Sequence, residues 1–257
     1  MTVTTDRPDP ASPTGQAPSL PVDGPTLARL LGSVFPLAAP AGGGELEYLT
    51  AVRLFVRDGF LVASATNRYA MGWMRTPFVP PAGESTTTYD GVRVSIPGRL
   101  IPPLLADIAD LDDEVGHAVF HLRMTRAPGG PDGGTTMPSV ATTLTYPSWV
   151  DSGRTVTMTT VDFDQDVSQL VLPLLAGAPS AVTGISVRPG MLAAFADVDD
   201  GAGSPLELSV IGTPAGPSLL RVTCGEAFLG ALASRSYRGG VPGATSWESL
   251  LTTPTAP

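Results

Sequence analysis

Two strand-forming runs, 50–57 and 60–66, meet at Arg57-Asp58-Gly59, and this hairpin constrains the fold more than any other feature of the chain. Asp-Gly between two such runs closes an antiparallel pair, because the twist of paired strands calls for positive φ in the turn. Further strands are expected at 69–79, 92–96, 115–124, 139–146, 184–187, 206–211, 218–223 and 227–234. Most connections between them are too short for helical crossovers, so the sheets are antiparallel. Apolar residues at i, i+3, i+4 and i+7 predict helices between the strands. The first covers 26–35, on Leu27, Leu30, Leu31 and Val34, and the second covers 102–111, on Leu104, Leu105, Ile108 and Leu111. A third covers 164–176, where Pro173 should kink or shorten it, and a fourth covers 189–198. The fold class is α+β, with antiparallel sheets and helices packed on one face.

The chain is bounded by segments that cannot build a core. Residues 1–24 read as a disordered tail, since Pro8, Pro10, Pro13, Pro18 and Pro21 interrupt every helix. Residues 241–257 read as a C-terminal tail, with Trp247, Leu250 and Leu251 at helical spacing inside it. That trio suits either a short amphipathic turn docked on its own domain or a peptide for a partner. Between the tails the pattern of strand, helix and strands recurs weakly. Residues 94–100 correspond to 185–191, each a strand feeding a helix. Two units follow: a full domain at 25–155 and a shortened one at 156–240.

Several functional classes lack support. No apolar run approaches the ~18 residues of a membrane-spanning helix, and no signal peptide is visible, so a cytoplasmic protein without membrane contact is expected. The single Cys224 excludes an intramolecular disulfide framework. His117 and His121 lie four apart with Glu114 the closest carboxylate, too few ligands for a metal site. The glycine-rich stretches at 42–44, 129–134 and 201–203 lack the Lys-Ser/Thr ending of a phosphate loop. No nucleophile elbow is present. The chain reads as noncatalytic, with no cofactor.

One stretch carries a family resemblance. Residues 52–71 run as an apolar strand, an Asp58-Gly59 turn, a second strand, and then the corner Ala65-Thr66-Asn67-Arg68-Tyr69-Ala70-Met71. This resembles the bacterial DNA polymerase III beta subunit, the sliding clamp, whose corner reads Ala-Thr-Asp-x-His/Tyr-Arg-Leu-Ala. Asn67 stands in place of the Asp, and the Arg has no counterpart after Tyr69. Residues 94–105 are similar to the family's second strand–helix step, and Thr145-Tyr146-Pro147-Ser148-Trp149 to its Phe-Pro-Asp-Tyr segment. Residues 228–235 are similar to its C-terminal strand.

The resemblance, spanning about 25–237, implies clamp-like repeats in a closed ring, helices lining the hole and sheets outside. A family subunit has three domains and forms dimers. This chain is most like the last two of them, so a six-domain ring would need a homo-oligomer of three chains. The resemblance also implies a scaffold for DNA replication or repair that captures short linear peptides of polymerases and repair proteins between two domains. One wall of that groove matches Thr66, Arg68, Tyr69, Ala70 and Met71, and the other matches Gly230 and Leu232. The DNA-facing candidates on or beside helices are Arg29, Arg99 and Arg188.

Charge argues against a DNA-filled ring. The net charge is −9, and all fifteen basic residues are arginine. Residues 25–155 sum to −2 and residues 156–240 to −4. On and near the helical segments stand Asp107, Asp110, Asp162, Asp164, Asp166 and Asp197 against those three arginines. A hole lined this way repels phosphate, so a second reading stands beside the first: a clamp-fold interaction or regulatory module that does not encircle DNA.

Overall fold

The computed structural model describes residues 19–40, 47–115, 118–126, 139–147, 154–161, 168–179, 185, 187–212 and 218–234. Two antiparallel sheets organise them. The larger has seven strands, ordered β5-β2-β3-β4-β11-β10-β9. Its members are β2 (Ala51–Arg57), β3 (Phe60–Thr66), β4 (Ala70–Pro77), β5 (Arg93–Pro97), β9 (Leu206–Ile211), β10 (Leu219–Cys224) and β11 (Phe228–Ala233). The smaller sheet is ordered β1-β6-β7-β8, from β1 (Leu20–Asp23), β6 (Val119–Arg126), β7 (Ser139–Thr145) and β8 (Thr155–Val161). The β2–β3 hairpin forms where Asp-Gly predicts it. Asp58 has φ 52° and Gly59 φ 77°, so both turn residues sit in the left-handed region.

Helix α1 (Gly24–Val34) starts two residues earlier than its apolar spacing suggests. Asp23 is its N-cap, accepting a 2.9 Å bond from the Thr26 amide, and Pro25 occupies the first turn at no cost in hydrogen bonds. Leu27, Leu30, Leu31 and Val34 are fully buried. Helix α2 (Ile101–Val115) is entered through a 3-10 turn, Gly98–Leu100, and buries Ile101, Leu104 and Ile108. Helix α3 (Ser168–Leu175) contains Pro173, and α4 (Pro189–Ala193) is a short turn. Among the described residues no helix is long and apolar enough to cross a membrane.

The main core lies between the two sheets, filled by α1 and α2. Phe120 of β6 meets Tyr146 edge-on at 5.3 Å, and the Tyr146 hydroxyl donates to Asp107 of α2 at 2.6 Å. Burial first, and then the bond and charge of Asp107, hold the Tyr146 phenol above its ordinary range. Thr142 of β7, fully buried, donates to the Ser95 carbonyl of β5 at 2.8 Å and bridges the sheets.

Several expectations are corrected. Residues 1–18 lie outside the described residues, but the end of the expected tail is the strand β1. Leu20 and Val22 are buried at 0% and 4% exposure and pair opposite Leu122 and Phe120. Pro21 is tolerated because β1 is an edge strand, so its missing N–H interrupts no ladder. Strand β8 lies outside the expected strands, although its sequence Thr-Val-Thr-Met-Thr-Thr-Val is rich in β-branched residues. Ile185 and Val187 belong to no strand, and both pack half-buried on the core. Gly184 and Ser186 of the expected strand lie outside the described residues. Residues 241–257 and His117 lie outside the described residues.

Candidate peptide-binding corner and helix faces

The corner after β3 is built by its own side chains. The Asn67 carboxamide accepts from the Tyr69 amide at 3.1 Å and from the Ala70 amide at 2.8 Å, closing an Asx turn. Thr66 Oγ1 donates to the Ala70 carbonyl at 2.9 Å and accepts from the Arg68 amide at 3.3 Å. With these bonds in place Arg68 adopts φ 77°, a strained region for a residue with a Cβ. Tyr69 is thereby lifted to 57% exposure, beside an exposed Arg68.

Strand β11 lies against this corner. Ala70 pairs with Leu232, Met71 with Ala231, and Gly72 with Gly230, and the Ala233 amide donates to the Tyr69 carbonyl at 2.8 Å. Residues 160 positions apart are thus neighbours, and the β4–β11 ladder joins the segments on either side of residue 156. The predicted groove residues share one region, but the pleat divides them between the two faces of the sheet. Ala70, Gly230 and Leu232 point into the main core, with Ala70 and Leu232 at 1% and 0% exposure. A Cβ on Gly230 would stand 2.6 Å from Phe195 and 3.0 Å from Phe228, two buried rings in edge-on contact. Met71 points the opposite way, into a second apolar cluster with Trp73, Ala231 and Leu175.

Helix α3 lies across that second face. Val171 and Leu172 pack on the cluster, and Arg221 of β10 donates to the Leu175 carbonyl at 3.0 Å and to Ser209 at 2.9 Å. A cation at the last carbonyls of a helix satisfies its free acceptors and opposes its dipole. Beside α3 a cleft of about 530 Å³ opens over Phe55, Phe60, Val62, Trp73 and Leu229, with Arg57 and Arg75 at its rim. Sequence reasoning missed Asn67 as the organiser of the corner, and it missed the cleft. The period-two alternation of β2, β3 and β4 could have shown Phe55, Val62 and Trp73 on one face, but only the register makes them neighbours.

The three DNA-facing candidates have different surroundings. Arg29 of α1 is half-buried, donating to Thr76 at 3.0 Å and to the Asp200 carbonyl at 3.3 Å. It ties α1 to β4 and to the loop after α4. Arg99 is exposed in the 3-10 turn before α2, and Arg188 is the exposed N-cap of α4. Helix α2 carries no basic residue, and its exposed positions include Asp110.

No metal-binding cluster occurs among the described residues, and His121 is exposed on β6. Cys224 is buried and donates to the Ser204 carbonyl at 3.2 Å. Burial, then the charge of Asp200, pushes its thiol up, the opposite of what an active nucleophile needs.

No protein-family model matches the chain, and no curated protein matches it in sequence. Solved structures do. The DNA polymerase III beta subunit of Thermotoga maritima superposes with a TM-score of 0.55 at 10% identity, over 91% of this chain and 70% of that one. The beta sliding clamp of C. crescentus gives 0.52 at 15% identity, over 90% and 69%. The DNA polymerase III subunit beta of Pseudomonas aeruginosa gives 0.51 at 12%, over 92% and 70%. At such identities the likeness is one of fold: the chain has a sliding-clamp-like α+β architecture.

Proposed function

We propose that this chain is a noncatalytic scaffold of the sliding-clamp kind, acting in DNA replication or repair by capturing short linear peptides of polymerases or repair proteins. The observation that carries the reading is the corner at 66–71, where Asn67 and Thr66 hold Tyr69 out beside β11. An exposed aromatic next to an arginine, on a rigid junction between two sheet segments, suits a peptide anchor. Thr66, Arg68 and Tyr69 form the accessible rim. Ala70, Gly230 and Leu232 lie on the main-core face and Met71 on the opposite face under α3, so a peptide seated on Met71 would have to shift α3. The fold of the clamps named above supports the scaffold role by analogy.

The test is a titration of a fluorescent clamp-binding peptide, followed by anisotropy. A micromolar Kd for the wild type, weakened about tenfold or more by Tyr69→Ala, is the expected outcome. An absence of wild-type binding at high micromolar concentration removes the proposal.

A second reading is a clamp-fold interaction module that does not encircle DNA, and the helix faces favour it. Arg29 is committed to Thr76 and Asp200, and α2 offers phosphate no cation.

A further inference from the structure

Strand β9 closes one side of the seven-stranded sheet, two strands out from β11. Among the described residues its outer side is bridged once, by Pro179 at Ile211. Toward its other end the strand lies open: Leu206, Glu207 and Leu208 are exposed, the two leucines at 39% and 52%. Edge strands are commonly shielded by lysine, proline or a bulge, because their unpaired amides and carbonyls recruit another strand. Leu206–Ile211 contains neither Lys nor Pro, and its register with β10 runs unbroken over six pairs. That register fixes which way each side chain points. Leu206, Leu208 and Val210 stand opposite Cys224, Val222 and Leu220, which are buried in the main core, so the exposed leucines carry the core face of the sheet out to its last strand. Glu207 and Ser209 lie on the other face. There Arg221 donates to Ser209 at 2.9 Å, which turns its guanidinium toward the open edge.

We propose that a second copy of this chain occupies the edge, its β9 running antiparallel to the first with Leu208 opposite Leu208, so that two seven-stranded sheets join into one. In this register β9 complements itself on both faces. On the core side Val222 and Leu208 meet the partner's Leu208 and the partner's Val222, while Cys224 and Leu206 meet the partner's Val210 and the partner's Leu220, so every row is apolar. On the other side Glu207 comes opposite the partner's Ser209, in line with the partner's Arg221, and the two-fold repeats that contact of opposite charges. Other registers lose the match. Centring on Glu207 sets two carboxylates opposite each other, and centring on Ser209 requires Ile211, whose outer side Pro179 holds. A one-residue shift sets an apolar side chain against Glu207 and turns one copy's leucines to the wrong face. Pro205, which has no N–H, ends the new ladder where Ile211 would be its opposite. A two-fold contact of this kind closes at two copies.

Sedimentation equilibrium of the full chain tests the assignment. The mass should rise with concentration from the 26.4 kDa of one chain toward twice that value, with a Kd on the order of 10 μM for so small a contact. Leu208→Lys, at an exposed position, should keep the wild-type urea midpoint and weaken association about tenfold or more. Glu207→Lys, which sets a cation beside the partner's Arg221, should weaken it about threefold or more. A chain that stays single at high micromolar concentration, a mass that grows to three copies, or a dimer that Leu208→Lys leaves intact overturns the proposal. A second measurement reads the register. In a Cys224→Ala background, Leu208→Cys places two thiols on the two-fold axis, where directly opposed Cβ atoms stand about 5 Å apart. Mild oxidation should link two chains there about tenfold faster than with Glu207→Cys, whose thiols lie on a diagonal. Equal rates at the two positions overturn the centring on Leu208. Neither readout involves the corner at 66–71, so its outcome is separate from that of peptide capture.

Discussion

Gly230 shows how a single residue can belong to a site by position and to the core by orientation. It stands opposite Gly72 on β4, and the two glycines leave a notch that the Phe195 and Phe228 rings enter from one side and Leu37 from the other. A Cβ at either position meets those side chains directly. Gly230→Ala is therefore expected to destabilise the chain by about 1–3 kcal/mol, the usual cost of overpacking a dense core. Urea denaturation should show a lower midpoint with an unchanged slope. Peptide binding at Tyr69, measured on the folded fraction, should stay within about twofold of wild type. A variant of native stability that fails to bind would instead make Gly230 a contact residue. Asn67 and Arg68 illustrate the complementary case. Their bonds are short-range, yet the positive φ they impose on Arg68 presents Tyr69 to solvent.

At the scale of elements, α3 depends on its neighbours for its position. It has eight residues, one of them proline, well below the length at which a helix is stable alone. Its position rests on Leu175 and Leu172 packing beside Met71 and Trp73, and on the Arg221 bond to its last turn. Arg221→Ala is expected to cost about 1–3 kcal/mol, the range for a hydrogen bond with a charged donor. Hydrogen exchange should accelerate over 168–175 before the sheets are affected, since local opening needs only α3 to detach. Equal acceleration across β2, β3 and β4 would show that α3 and the sheet open as one unit. If α3 does shift for a peptide to reach Met71, the same variant should tighten peptide binding.

For the whole molecule the decisive question is how the fold meets DNA. Counterion release by cationic contacts dominates nonspecific affinity. The helices here offer an engaged Arg29, exposed Arg99 and Arg188, and no lysine, within a chain of net charge −9. Binding to a fluorescent duplex, linear or circular, is expected to be negligible at physiological salt. Submillimolar affinity at ~50 mM salt with a steep negative salt slope would restore an encircling clamp. The solution mass separates the same readings. Three times the 26.4 kDa chain mass fits a six-domain ring, and a single chain mass removes it.

Much of this architecture is legible in local sequence. The Asp58-Gly59 turn fixes a hairpin because few residue pairs tolerate positive φ twice, and the stripe of Leu27, Leu30, Leu31 and Val34 has no other use than one buried helix face. Strand β8 and the edge strand β1 were harder. Their burial depends on partners at Thr145 and Leu122 that no local pattern announces, and Pro21 is acceptable because no strand among the described residues lies beyond it. The site divides along the same line. The sequence placed 66–71 and residues 230 and 232 together through a resemblance. Which of them reach solvent was settled by the pairing of β4 with β11 and by α3 on the far face. A one-residue step along a strand reverses the side on which a side chain lies, so Ala70 enters the core, Met71 lies under a helix, and Tyr69 alone among the apolar residues of the corner is left exposed to solvent.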